Sequence, residues 1–230
     1  MINNYGDFCD ELLKVGFSLG GGGNDEGVFT LLPHGWDQQP PDSALRWHSG
    51  DAEVDPWEWR IKVLDERKDI AYGKVFFKKS GYITKEWYPY FLAARRGGKS
   101  FEETYSDGEI SHFAKNIYDV IRDAGALPLH AIKQICGCGK DDKGKFDKAL
   151  IELQMGLFVT MCGRQQKVSM LGEGYGWAST MFCTTEAFWG KEVFDAAGEI
   201  TKEAAVTAIT KQIYLLNPNA QPKRISKFIC

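Results

Sequence analysis

The spacing of apolar residues changes once, at Gly156, and that change limits what the second half of the chain can become. Ahead of it, Ile110, Phe113, Ala114, Ile117, Tyr118, Ile121 and Ala124 recur at helical intervals and stop at Gly125. The stretch 127–139 supplies a short second helix. A third covers 141–156, with an expected inner face of Phe146, Ala149, Leu150, Leu153 and Leu157. Beyond Gly156 the pattern reads as strand over 157–162, then a polar loop holding Arg164, Gln165, Gln166 and Lys167, then strand over 175–182. Three helices closing one small core and followed by a hairpin predict a winged helix-turn-helix, the hairpin being the wing. The fold class is therefore α+β: a winged helix-turn-helix of three helices plus wing hairpin, with an N-terminal helix and β-hairpin part. Expected boundaries are 1–100 for the N-terminal region, 101–190 for the winged helix and 191–230 for a C-terminal helical extension.

In the N-terminal region, Tyr5, Phe8, Cys9, Leu12 and Leu13 form one helical face that ends at Gly16. Gly20 to Gly23 lacks the Lys-Ser or Lys-Thr and the dinucleotide spacing of phosphate loops, so a flexible loop is expected. Residues 33–43, with three prolines, form a connector. Asp55-Pro56 starts a helix over 56–66, which makes Asp55 a structural cap. Trp36, Trp47, Trp57 and Trp59 crowd this region together with His48, Asp51 and Glu58. The indoles build the core of an N-terminal layer, or they line a pocket where a flat ring stacks, with Asp51 or Glu58 as a weak catalytic candidate. The sequence leaves both readings open.

Residues 70–77 read as a strand, 79–81 as a turn and 82–83 as its return. Thr84 is expected to cap a helix reaching Arg96, with Trp87, Tyr90, Phe91 and Ala94 inward and Pro89 limiting or bending it. Gly97-Gly98-Lys99-Ser100 fails as a phosphate loop because Ala93 stands where glycine is needed, and it reads as a linker. A last long helix starts near Thr201 and stops at Asn217-Pro218, and Pro222 begins a final turn.

The net charge of −3 argues against indiscriminate nucleic-acid binding, but the charge is unevenly spread. Residues 1–66 carry 4 basic and 13 acidic groups, whereas residues 67–99 carry 9 basic and 2 acidic. Lys74, Lys78, Lys79, Lys85, Arg95, Arg96 and Lys99 interleave with aromatic residues, a composition suited to phosphates and bases. Lys145 and Lys148 on the third helix and Arg164 to Lys167 at the wing tip complete the expected DNA-contacting set. Glu152 is spaced to pair with Lys148 and would repel phosphates. His112, His130 and Cys136-Gly-Cys138 lack partners at ligand spacing, so no metal and no cofactor is expected. Six irregularly spaced cysteines, no apolar leader and no membrane-length apolar run lead to the expectation of a cytoplasmic protein with reduced thiols.

The runs FDKALIELQMGLFVT, GYGWASTMF and TTEAFWG, with DPWEWR at 55–60 and AYGKVFFKKSGYITKEWYPYF at 71–91, resemble the small AlkZ-related proteins. These are named for a superfamily of winged-helix DNA glycosylases that remove alkylated bases. The resemblance covers roughly residues 45–190 and implies duplex DNA as partner and a link to DNA repair. The glycosylases carry Gln, an apolar residue, then Gln or Asp; Gln38-Gln39, Gln154-Met155-Gly156 and Gln165-Gln166-Lys167 all depart from that triplet. Three expectations follow: a winged-helix DNA-binding protein, a metal-independent glycosylase using a carboxylate such as Asp51 or Glu58, and a winged helix used for protein contacts.

Overall fold

The computed structural model describes residues 2–35, 37–167, 176 and 178–230. It is an α+β fold in which helices pack around one antiparallel sheet of six strands, ordered β1-β3-β2-β5-β6-β4. The N-terminal part contributes α1 (Tyr5–Val15), β1 (Phe17–Leu19), α2 (Pro56–Glu66), β2 (Ile70–Phe76), β3 (Lys79–Thr84) and α3 (Tyr88–Arg96). Next come α4 (Phe101–Ser106), α5 (His112–Ala124), β4 (Ala126–Pro128), α6 (Leu129–Ile135), α7 (Lys143–Met155), β5 (Val159–Gln165) and β6 (Ser179–Thr184). The chain ends with α8 (Thr185–Trp189), α9 (Lys191–Gly198), α10 (Lys202–Leu216) and α11 (Pro222–Ile229).

Strand periodicity explains how β2 and β3 bury both faces. Ile70, Tyr72 and Tyr82 join α1 and α2 in one apolar cluster, while Ala71, Phe76 and Ile83 join α3 and α9–α11 in another. A third cluster holds α5, α6 and α7 against Val159 of β5 and Phe182 of β6. Phe146, Ala149, Leu150 and Leu153 lie in it as expected, but Leu157 belongs to the α3 cluster. β2 pairs with β5 through Tyr72 and Met161, so the N-terminal hairpin and the β5–β6 hairpin share one sheet.

Local chemistry sets the ends of these elements. The Asp55 carboxylate is fully buried and accepts from the N–H groups of Trp57, His48 and Gly50 at 2.8, 3.0 and 2.9 Å, fixing the start of α2. The β2–β3 turn falls on Phe77 and Lys78, not on 79–81. Both residues have positive φ, 52° and 62°, as a two-residue hairpin turn requires, and Lys79 already pairs with Phe76. Thr84 does not cap α3: its N–H extends the sheet by donating to the Gly16 carbonyl at 2.9 Å, and the helix starts after Trp87. Pro89 then lies in the first turn of α3, where its missing N–H costs nothing. The expected strand over 175–182 is described from Ser179 onward, and Tyr175 and Trp177 lie outside the described residues, as does Trp36.

Candidate nucleic-acid interface and an aromatic cleft

Six of the cations expected to form one phosphate-binding face are held by separate partners. Arg95 is caged: its guanidinium donates to the carbonyls of Ile229, Met155, Val75 and Phe228 at 2.7 to 3.0 Å. Burial pushes its pKa down to about 10, which still leaves it charged at neutral pH. Arg96 is equally occupied by the carbonyls of Gly156 and Leu157, the Thr185 hydroxyl and Glu186. Lys79 pairs with Glu26, Lys85 with Glu192 on α9, Lys99 with Asp107 and Glu109, and Arg164 with Asp65 at the end of α2. The sequence pattern could not reveal these partners, because each lies at least eight residues away along the chain. Lys74 is half-buried on β2, Lys78 is exposed on the turn, and neither has an ion pair among the described residues.

At the β5–β6 hairpin, Gln165 lies opposite Ser179, and Gln166 donates to the Gly176 carbonyl at 3.0 Å. Lys167 is half-buried at the edge of the described segment.

The exposed face of α7 differs. Lys143, Lys145 and Lys148 are exposed and have no carboxylate partner among the described residues. Three of the acids nearby are engaged elsewhere. Glu152 does not pair with Lys148; it accepts from the Ser111 N–H at 2.8 Å and the Ser111 hydroxyl at 2.9 Å. Asp147 faces Lys133 of α6 at 3.6 Å, and Asp142 accepts from the Gly139 N–H at 3.1 Å. Asp141 is exposed in the preceding loop and has no ion pair among the described residues. Lys143 was missed by the sequence reading, although a signal existed. It and Lys145 occupy the first turn of a helix that has no acid there, the end where cations are least favoured.

The tryptophans divide between core and surface. Trp59 is fully buried, stacks on Phe8 at 5.1 Å and donates from Nε1 to the Ala52 carbonyl, so it is a core residue and lines no pocket. Trp47 and Trp57 border a cleft of about 400 Å³ with the Gly20–Gly23 run, Tyr72, Arg60 and the β3 start. The glycine run is a wall of this cleft, anchored by Gly20 N–H to Ser80 and Gly22 N–H to Leu32. Glycine is required at Gly21, with φ of 95° and room for no Cβ, since one would come within 2.9 Å of Leu32 Cβ.

Asp51 and Glu58 do not border the cleft. Asp51 sits on an exposed turn, where Oδ1 accepts from the Glu53 N–H at 3.0 Å. The cleft carboxylates are Asp25 and Glu26, and the latter is paired with both Lys79 and Arg224. The hydrogen bond from Lys79 holds the Glu26 carboxyl below the usual carboxylate range. Among the described residues no group of three or more His, Cys, Asp or Glu side chains is placed to hold a metal ion. No described helix is long and apolar enough to cross a membrane.

Taken together, this is an α+β protein with unpaired lysines in the first turns of α7 and a separate aromatic cleft. The chain belongs to the AlkZ-related family, whose model matches residues 2–230, well beyond the 45–190 stretch that carries the resemblance. Comparison with curated proteins and with solved structures gives no match.

Proposed function

We propose that this protein binds duplex DNA in a repair-related role, with α5, β4, α6, α7 and the β5–β6 hairpin acting as a winged helix. The family membership supports the repair context. The order helix, strand, helix, helix, hairpin, the shared core of α5–α7 and the pairing of β4 with β6 support the winged-helix reading. In such a unit α7 is the helix presented to the major groove, and β2 steadies the hairpin through β5.

The observation that carries the proposal is the cationic first turns of α7. Lys143, Lys145 and Lys148 supply charge, and the N–H groups at the helix start supply donors to a phosphate. Titrating a labelled duplex with protein over a salt series tests it. The slope of log affinity against log salt is expected to flatten by about 1 for each lysine removed by alanine substitution at 143, 145 and 148. Lys79→Ala serves as the control and leaves the slope unchanged, because Glu26 already neutralises that ammonium. Absence of binding at low salt, or a slope indifferent to the α7 lysines, overturns the reading.

A further inference from the structure

We propose that the cleft beside Trp47 and Trp57 binds a single nucleotide unit, its base stacked on Trp47 and its phosphate held by the Arg60 that lies over Trp57. This site is independent of the α7 face and makes use of residues that duplex contacts leave idle.

Arg60 carries the argument. Its guanidinium carbon lies over the Trp57 ring, 3.4 Å from the centroid, and Nε donates to the Trp57 carbonyl at 2.6 Å. These two contacts hold the group in place. They leave its terminal nitrogens without a carboxylate partner among the described residues. An arginine fork held rigid in this way meets two phosphate oxygens with little further ordering. Across the cleft, the N–H groups of Gly21 and Gly23 have no acceptor among the described residues. A glycine-rich turn with unspent N–H groups is a second source of anion donors.

The other polar group fixes the ligand class. Asp25 borders the cleft with no ion pair on its carboxylate, whereas Glu26 is neutralised by Lys79 and Arg224. A bare phosphate would satisfy Arg60 and be repelled by Asp25. An uncharged ring would stack and leave Arg60 unmet. A nucleotide with an exocyclic amino group answers both, its phosphate toward Arg60 and its amino N–H toward Asp25. Trp47, half-buried on the cleft wall, supplies the stacking surface, since Arg60 already lies over Trp57, and about 400 Å³ falls in the range of small-molecule sites.

The test is a tryptophan-fluorescence titration of the full chain with dAMP, dTMP, inorganic phosphate and a single-stranded trinucleotide. Saturable quenching by dAMP is expected, with dTMP and phosphate weaker by about tenfold or more, the scale of one lost charge-assisted hydrogen bond. Arg60→Ala should weaken dAMP about tenfold or more, and Asp25→Asn should narrow the gap between dAMP and dTMP. Trp47→Phe, which keeps a ring on the wall, should lose most of the quenching and keeps the test open should Arg60→Ala fold poorly. A trinucleotide binding more tightly than dAMP identifies an unpaired nucleotide within a strand as the ligand; the reverse order identifies a free nucleotide. Alanine at 143, 145 and 148 should leave dAMP binding unchanged, so loss of duplex binding and loss of this site are read separately. No saturable quenching by either dAMP or trinucleotide, or a folded Arg60→Ala that binds dAMP as well as the parent, overturns the proposal.

Discussion

Glu152 on α7 receives two hydrogen bonds from Ser111, one from its N–H and one from its hydroxyl, across 41 residues of sequence. The Ser111 hydroxyl in turn accepts from the Ala114 N–H at 3.3 Å as the cap of α5. One carboxylate therefore fastens the start of α5 to the flank of α7, and it also lies at the positive end of the α5 dipole. This removes the only acid spaced to neutralise Lys148 from the same helix.

Glu152→Ala is expected to lower unfolding free energy by about 1 kcal/mol, the typical net value of such bonds at a partly exposed site. Glu152→Gln should recover part of the loss, since the amide oxygen still accepts from Ser111. Urea midpoints for the two variants check this. Equal midpoints for the parent and the alanine variant would remove Glu152 as the fastening between the helices.

Much of the framework is readable from one-dimensional pattern. Asn4 and Gly16 bound α1, Asp55-Pro56 starts α2, and Ser111 and Gly125 bound α5, because caps and periodicity act within a few residues. The turn at Phe77-Lys78 was hidden because neither residue advertises positive φ, and the neighbouring Ser80-Gly81 does. Leu157 continues the helical face of α7 by spacing, yet its positive φ of 59° turns it toward the α3 cluster.

The site was less legible for a different reason. Charge along the sequence gives the sign of a side chain but not its partner. The strongest basic run, 67–99, therefore contains two arginines consumed by backbone carbonyls and three lysines held by distant carboxylates. Trp47 and Trp57 border a cleft with Asp25 and the glycine run, whereas Asp51 and Glu58 lie outside it.

Arg95 is expected to be the most costly single cation to remove. Its guanidinium joins β2, the end of α7 and α11 through their carbonyls, and its carbon lies 5.5 and 5.4 Å from the rings of Phe76 and Phe91. Arg95→Leu leaves several carbonyls without their donor, a loss of at least about 3 kcal/mol at about 1 to 3 kcal/mol per buried group. Arg95→Lys keeps the charge but replaces a five-donor fork by a point, so it should fall between leucine and the parent. Thermal unfolding of both variants measures the order. A leucine variant as stable as the parent would show that the cage is not what ties these elements together.

The acid limb of the stability profile should report Glu26. Its carboxyl is held below the usual carboxylate range first by the Lys79 hydrogen bond, with the charges of Lys79 and Arg224 adding to it against a desolvation that acts the other way. A carboxylate with a depressed folded pKa stabilises the native state above its unfolded pKa, and that contribution fades as pH falls through the folded one. Stability is thus expected to decline as pH drops through and below the ordinary carboxylate range, with Asp69, depressed by its Arg67 hydrogen bond, acting in the same direction. Glu26→Gln should flatten this limb while lowering stability near neutrality, because the ion pairs that anchor the 25–27 loop to β3 and α11 are lost. Urea midpoints collected from pH 7 downward distinguish the cases. If the parent and Glu26→Gln curves run parallel across the acid limb, the pairing of Glu26 with Lys79 and Arg224 is not the source of the pH dependence.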